Sequence, residues 1–188
     1  TTESGQAVDP DNRLLHRQNL RRLDAESVRD AMLAISGKLN PKAFGPPVPV
    51  RENEVGQIVV GKGTKDLARG SVAEEPLPEG EIDRRSVYVQ VRRTMPVGVL
   101  ETFDAATTEP NCERRTSATA TPQSLLLLNS DFIIDQSRFL AERIRKEAGD
   151  QREAQVVLGW RLVYLTHPTE SDIRRGVKFI ESQMEHFK

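Results

Sequence analysis

The chain has 188 residues, enough for one domain with a core of its own, and its 27 basic and 28 acidic side chains nearly cancel. A net charge of −1 supplies no general attraction to nucleic acid or to an anionic lipid surface, so neither is expected as a partner. No apolar run approaches the roughly 20 residues of a transmembrane helix, and the single cysteine excludes an intrachain disulfide, a multi-thiolate zinc site and covalent c-type haem.

Residues 12–39 read as mostly helical. Asp11 offers a cap for a first segment carrying Leu14 and Leu15. Asp24 offers a second cap with Glu26 in the first turn, where the helix dipole favours negative charge. Val28, Met32, Ile35 and Leu39 recur at helical spacing along one face, and Gly37 is placed to end the helix. Arg17, Arg21, Arg22 and Arg29 make this stretch locally basic. Given the overall charge balance, they read as a solvated helix face rather than one that reads DNA.

Residues 41–80 hold more than half of the 11 prolines and half of the 12 glycines, so a long irregular loop is expected. Ile58, Val59 and Val60 are the exception, a short strand whose natural partner would be Val87 to Val91. Gly56 to Lys62 fits the opening of a phosphate-binding loop, but Gly63 stands where a Ser or Thr must hold magnesium. A turn or bulge around Gly61 is the better reading.

The densest chemistry lies in residues 82–129. From Ser86 to Arg92 the pattern alternates, with Val87, Val89 and Val91 on one side, as in a half-buried strand. That strand would place Arg84 and Arg92 on one face and Arg85 and Arg93 on the other. Pro96 ends it, and Val97 to Phe103 reads as a short helix running into an acidic turn at Asp104. Cys112 precedes Arg114 and Arg115. Thr121 and Pro122 then open a helix, a hydroxyl cap followed by proline where no N–H is needed.

The remainder is helical. Leu125, Leu128, Phe132 and Phe139 trace a stripe that Asn129, Ser130 and Asp131 interrupt as a recapping point. Gly149 separates the next helix, marked by Val156, Val157, Trp160, Val163 and Tyr164. His167 and Pro168 break it, and Thr169 with Asp172 forms a capping box for a last helix striped by Ile173, Val177, Ile180, Met184 and Phe187. Their short connection predicts an antiparallel hairpin. The expected fold is mainly α, a bundle-like single domain over 1–188 with a helical arm (1–40), an irregular Pro/Gly-rich loop (41–81) and a strand plus helical core (82–188). The abrupt start suggests a piece of a longer multidomain protein.

Several of these stretches occur together in one family. Arg22 to Glu26, Arg84 to Tyr88, Arg92 to Thr94, Phe103 to Ala105, Cys112 with Arg114 and Arg115, and Thr121 to Gln123 leading to Asn129 resemble the C-terminal domain of unknown function of planctomycete surface proteins that often carry a cytochrome c domain. The likeness touches residues 13–39 and 82–187. It implies a periplasmic or cell-surface location and other domains of the same parent protein as partners; it implies no reaction, and it transfers no catalytic residue.

Among side chains with chemistry to offer, the Arg pairs lead. Guanidinium groups bind carboxylate or phosphate in bidentate fashion, so Arg84, Arg85, Arg92, Arg93, Arg114 and Arg115 are candidates for an anionic ligand or an acidic partner. Asp104 and Glu101 are structural carboxylates able to absorb them internally instead. Cys112 has no histidine near it in sequence and reads as a structural thiol. His16, His167 and His186 lack ligand spacing, so no metal site, cofactor or catalytic residue is assigned. The leading expectation is a non-catalytic accessory or interaction domain. The alternative is an enzyme or binding domain acting on an extracellular carbohydrate or anionic polymer through the Arg-rich centre, with Asp104 and Glu101 as candidate carboxylates.

Overall fold

The computed structural model describes residues 3–19, 21–53, 55–61, 65–66, 71–72, 77–106 and 121–186. The fold is mainly α with a small β element. Two short antiparallel hairpins, β1 (Val50–Glu52) with β2 (Ile58–Val60) and β3 (Lys65–Asp66) with β4 (Ser71–Val72), supply the strands. Segment 41–80, expected to be irregular, thus contains paired strands.

Helix α1 spans Glu3–Val8 and α2 Ala25–Ser36; between them the chain turns rather than winds. Asp9 accepts hydrogen bonds from the backbone N–H groups of Arg13 and Leu14, and Asn12 accepts one from Arg17. Side-chain bonds of this kind offer the backbone an alternative to helix, and Asn12 and Leu15 adopt positive φ. The helical segment expected after Asp11 is therefore absent.

In α2, Asp24 stands at the N-cap and Gly37 ends the helix at φ 79°. The buried face is Ala25, Arg29, Leu33 and Ser36, one position round from the stripe expected from the apolar residues. Val28, Met32 and Ile35 are half-buried beside it. Arg143 from a later helix donates to the carbonyls of Ala34 and Ile35, at 3.2 and 2.8 Å, and so caps the C-terminal end of α2.

Strand β2 pairs with β1 in the register Val50 to Val60, not with residues 87–91. The outer side of this hairpin is met at Val48, whose N–H and C=O exchange bonds with Tyr88 and Gln90 across a parallel bridge to Val89. Val50, Val89 and Val97 form the buried apolar cluster, with Ile58, Val60, Met95 and Leu100 packed on it. Gly61, the supposed phosphate-loop glycine, donates to Pro49 at the end of the ladder, so that segment is a hairpin strand and its exit.

The strand expected over residues 86–92 is replaced by two 3-10 turns, Glu81–Asp83 and Ser86–Tyr88, and the single bridge at Val89. Val89 is buried while Val87 and Val91 are exposed, so the alternation does not mark one sheet face. Helix α3 (Gly98–Thr102) closes with Asp104 at φ 63°. Asp104 N–H bonds to Glu101 and Ala105 N–H to Leu100, the paired bonds of a left-handed helix end.

Helix α4 (Thr121–Asn129) is followed at once by α5 (Asp131–Ala148), with Ser130 in extended conformation between them. The expected recapping point is there, but Leu125 and Leu128 face outward and Gln123 and Leu126 turn inward. Helices α6 (Arg152–Tyr164) and α7 (Glu170–His186) pack on one another, and α6 on α5. Thr169 and Asp172 exchange hydrogen bonds as a capping box, the Thr hydroxyl lying 2.7 Å from the carboxylate. Neither α6 nor α7 contains a fully buried residue.

Candidate functional site

Three features converge around the segment 81–101. The first is a buried guanidinium node. Arg84 is fully buried; its Nη1 donates to the Pro46 carbonyl and to Glu81 Oε2, both at 3.1 Å, and its Nη2 to the Phe44 carbonyl. Its guanidinium lies 4.3 Å from the centre of the Tyr88 ring. Lys42 reaches the other oxygen of Glu81, and these two cations hold that carboxyl below the usual carboxylate range. Arg29 enters from α2 and donates to the carbonyls of Arg84 and Ile82 and to Ser86 Oγ. Asp30, its neighbour on the helix, takes bonds from Ser86 N–H and Oγ, each at 2.7 Å, while Arg85 approaches it at 3.5 Å. A buried guanidinium is tolerable only when most of its donors are answered; here backbone carbonyls of residues 44–46 and 82–84 and the Glu81 carboxylate take the terminal nitrogens, while Arg84 Nε is left without a partner. The 3-10 turns exist because α2 grips them.

The second feature is a groove of about 630 Å³ between β2, α3 and the first half of α5. Its apolar lining includes Ile58, Val97, Leu126, Phe132 and Phe139. Two cations lie against the aromatic rings: Arg29 is 5.6 Å from the Phe132 centroid, and Lys38 4.1 Å from that of Phe139. Asp83 opens into the same groove. Burial pushes its carboxyl above the ordinary value, and the charges of Arg29 and Lys38 pull it part of the way back. Arg51, Glu101, Asp131 and Asp135 complete the charged margin.

The edge of β2 forms part of this groove. Asn53 N–H bonds to Gln57 O at one end of the hairpin and Gly61 N–H to Pro49 O at the other. Bonded and non-bonded positions alternate in an antiparallel pair, so residues 57, 59 and 61 face β1. Ile58 and Val60 point their N–H and C=O groups away from it. Among the described residues neither has an outward backbone partner.

The third feature is a cleft of about 290 Å³ on the opposite side of α3, which shares Pro96, Val97 and Glu101 with the groove. Arg92 and Arg93 both line it. Arg92 donates from Nε to Gln90 Oε1 at 3.1 Å and lies 3.9 Å from Met95 Sδ.

Of the six arginines singled out by sequence, the four that are described separate. Arg84 is enclosed, Arg85 is exposed beside Asp30, and Arg92 and Arg93 are at the smaller cleft. Arg114, Arg115 and Cys112 fall outside the described residues, as does Glu113. The expected division of Arg84 and Arg92 from Arg85 and Arg93 by strand faces does not apply, since no strand is there. Asp104 meets Arg22 at 3.9 Å, and Arg22 also donates to Gln123, 2.8 Å away. Glu101 is exposed on the wall common to both cavities.

Arg29, which looked like part of a solvated basic face, is the residue that sequence reasoning missed. Its signal was present: Ala25, Arg29, Leu33 and Ser36 share one helical face, and a lone arginine between Ala and Leu on that face is a candidate for burial. Among the described residues no cluster of histidine, cysteine and carboxylate side chains is arranged to hold a metal ion, and no helix is long and apolar enough to cross a membrane. A family model described as PSD1, protein of unknown function (DUF1553), matches residues 1–180. No curated protein and no solved structure matches the chain.

Proposed function

The chain belongs to the PSD1 family of unknown function (DUF1553), and on that footing we propose that it is a non-catalytic interaction domain of an exported bacterial protein, partnered by other domains of the same polypeptide. The observation that carries this reading is the open edge of β2 within the groove. The outward N–H and C=O groups of Val60 and the N–H of Ile58 are a template for an added strand, with Gly98 of α3 lying beside the Ile58 carbonyl. Phe132, Phe139 and Leu126 offer apolar ground for every second side chain of an extended segment. Backbone pairing supplies affinity in such docking and the side-chain pockets supply selectivity. The guanidinium node contributes rigidity, since Arg29 and Arg84 are committed to carbonyls inside the fold. The exported location is supported by the likeness to planctomycete surface proteins.

Peptides tiling the rest of the parent polypeptide test the proposal, with the amide resonances of Ile58 and Val60 as the readout. One segment is expected to shift both and to protect them from exchange. Val60→Pro removes an outward donor without touching the β1 ladder and should abolish that binding; because the Val60 side chain packs on the Val50, Val89 and Val97 cluster, retained exchange protection in β1 and α2 shows that the variant is folded. Binding by the parent's other segments that survives Val60→Pro would overturn the proposal.

A second reading, action on an extracellular carbohydrate or anionic polymer, is favoured by Asp83 alone. A carboxyl pushed up by burial, in a groove that also holds Glu101, Asp131 and Asp135, is the kind of group that donates a proton. This moves that reading from the Arg-rich centre to the groove. Polysaccharide cleavage that disappears in Asp83→Asn would establish it over the interaction role.

A further inference from the structure

We infer that the smaller cleft beside α3 is a binding site for a carboxylate carried on an apolar body. The argument starts from donors. A guanidinium has five N–H donors; Arg92 gives one to Gln90 and directs a second at a thioether, a weak acceptor. Arg29 and Arg84 place their terminal nitrogens on carbonyl oxygens, Arg84 also on Glu81, with only the enclosed Arg84 Nε unanswered, and Arg85 has Asp30. Arg92 is half-buried yet meets no carboxylate, and neither it nor Gln90 has a further partner among the described residues. Partial burial makes unanswered donors costly. The amide nitrogen of Gln90 adds two more beside them.

The walls define what else the ligand must be. Val89, Val91, Pro96, Val97 and Leu100 are apolar, and about 290 Å³ suits a branched acyl chain or one or two residues of a peptide. Glu26 and Glu101 stand on the same wall. Their charge disfavours a small multivalent anion such as phosphate and tolerates a single carboxylate held in the fork of Arg92. The carboxylate can come from a free monocarboxylic acid or from the C-terminus of a peptide. This site lies across α3 from the β2 edge, and the inference does not rest on strand addition there.

The intact chain is titrated with isovalerate, N-acetyl-leucine, leucinamide, and a pentapeptide ending in leucine with its terminus free or amidated. The Arg92 side-chain Nε resonance is followed. The three free carboxylates should shift it to saturation; leucinamide and the amidated peptide should not. Tighter binding of the free peptide than of the small acids assigns the site to a chain terminus, and the reverse assigns it to a free acid. Arg92→Gln should weaken binding at least about tenfold, the scale of a lost bidentate pair. Glu101→Gln, on the exposed wall, should strengthen it. Failure of every carboxylate to saturate, or affinities unaltered in both Arg92→Gln and Glu101→Gln, would overturn the assignment.

Discussion

The region built by α2, β1, β2 and the 3-10 turns and the hairpin of α6 and α7 are held together by opposite means. The first encloses Leu33, Val48, Val50 and Val89, and binds its turns with two buried arginines. The second has regular helices, a complete capping box and no fully buried residue, and it leaves Tyr164, Leu165 and Phe179 at 61%, 88% and 64% exposure. Regular secondary structure and a stable interior are thus separate properties here. The part with the least helix has the deepest core, because long-range side-chain bonds to backbone replace the ladder that helices supply for themselves.

Removing the node should break the contrast most severely. Arg84→Met leaves the Phe44 and Pro46 carbonyls and Glu81 Oε2 without their donor, and loss of one partner from a buried charged network costs about 3–5 kcal/mol. Chemical denaturation should show that loss, and hydrogen exchange should place the opening in 40–50 and 81–90. A variant whose midpoint is unchanged would show that the node is not what holds those turns.

A smaller effect is expected in the hairpin. A Cβ on Gly176 would sit 2.7 Å from Val156 Cγ1, so α6 and α7 approach at that glycine. Overpacking costs about 1–3 kcal/mol, partly offset by about 1 kcal/mol of better helix propensity. Gly176→Ala should therefore raise exchange in α6 and α7 while the node keeps its protection. Adding Val156→Ala should reverse the change. Equal loosening in both regions would mean that they unfold as one unit.

The smallest effect depends on pH. Asp83 holds its proton more tightly folded than unfolded, so over its titration range the folded state binds more protons and stability falls as pH rises. Asp83→Asn should stabilise the protein slightly at neutral pH, and the gain should vanish on acidification below the ordinary carboxylate value of 3.8. Glu81 has the opposite sign: its lowered value contributes stability above that range which is lost as pH falls. Thermal melts of Asp83→Asn and wild type across that range separate the two.

What could be read in advance was local. Ser130 between two helices, Gly37 and Gly149 at helix ends, and Thr169 with Asp172 act within a few residues of themselves. The misread stretches depend on partners far along the chain. Residues 86–92 alternate like a strand, but Arg29 and Asp30, more than fifty residues earlier, bond Arg84 and Ser86 into turns. Proline and glycine marked 41–80 as largely loop, with a strand at Ile58 to Val60, but could not show that Val48 is fixed by Tyr88 and Gln90. The groove and the β2 edge were invisible because the register of β1 on β2 decides which backbone groups face outward.

The bridges from Val48 to Val89 and from Asn40 to Arg84 have a bearing on how the chain can be altered. Each fastens the polypeptide on both sides of residues 61–80, so the core senses where that stretch leaves and returns and not how long it is. Closing a longer loop costs only about 0.6 kcal/mol for each doubling of its length. A tag or reporter spliced between β3 and β4 would thus leave both bridges, and the arginine node beside them, as they are.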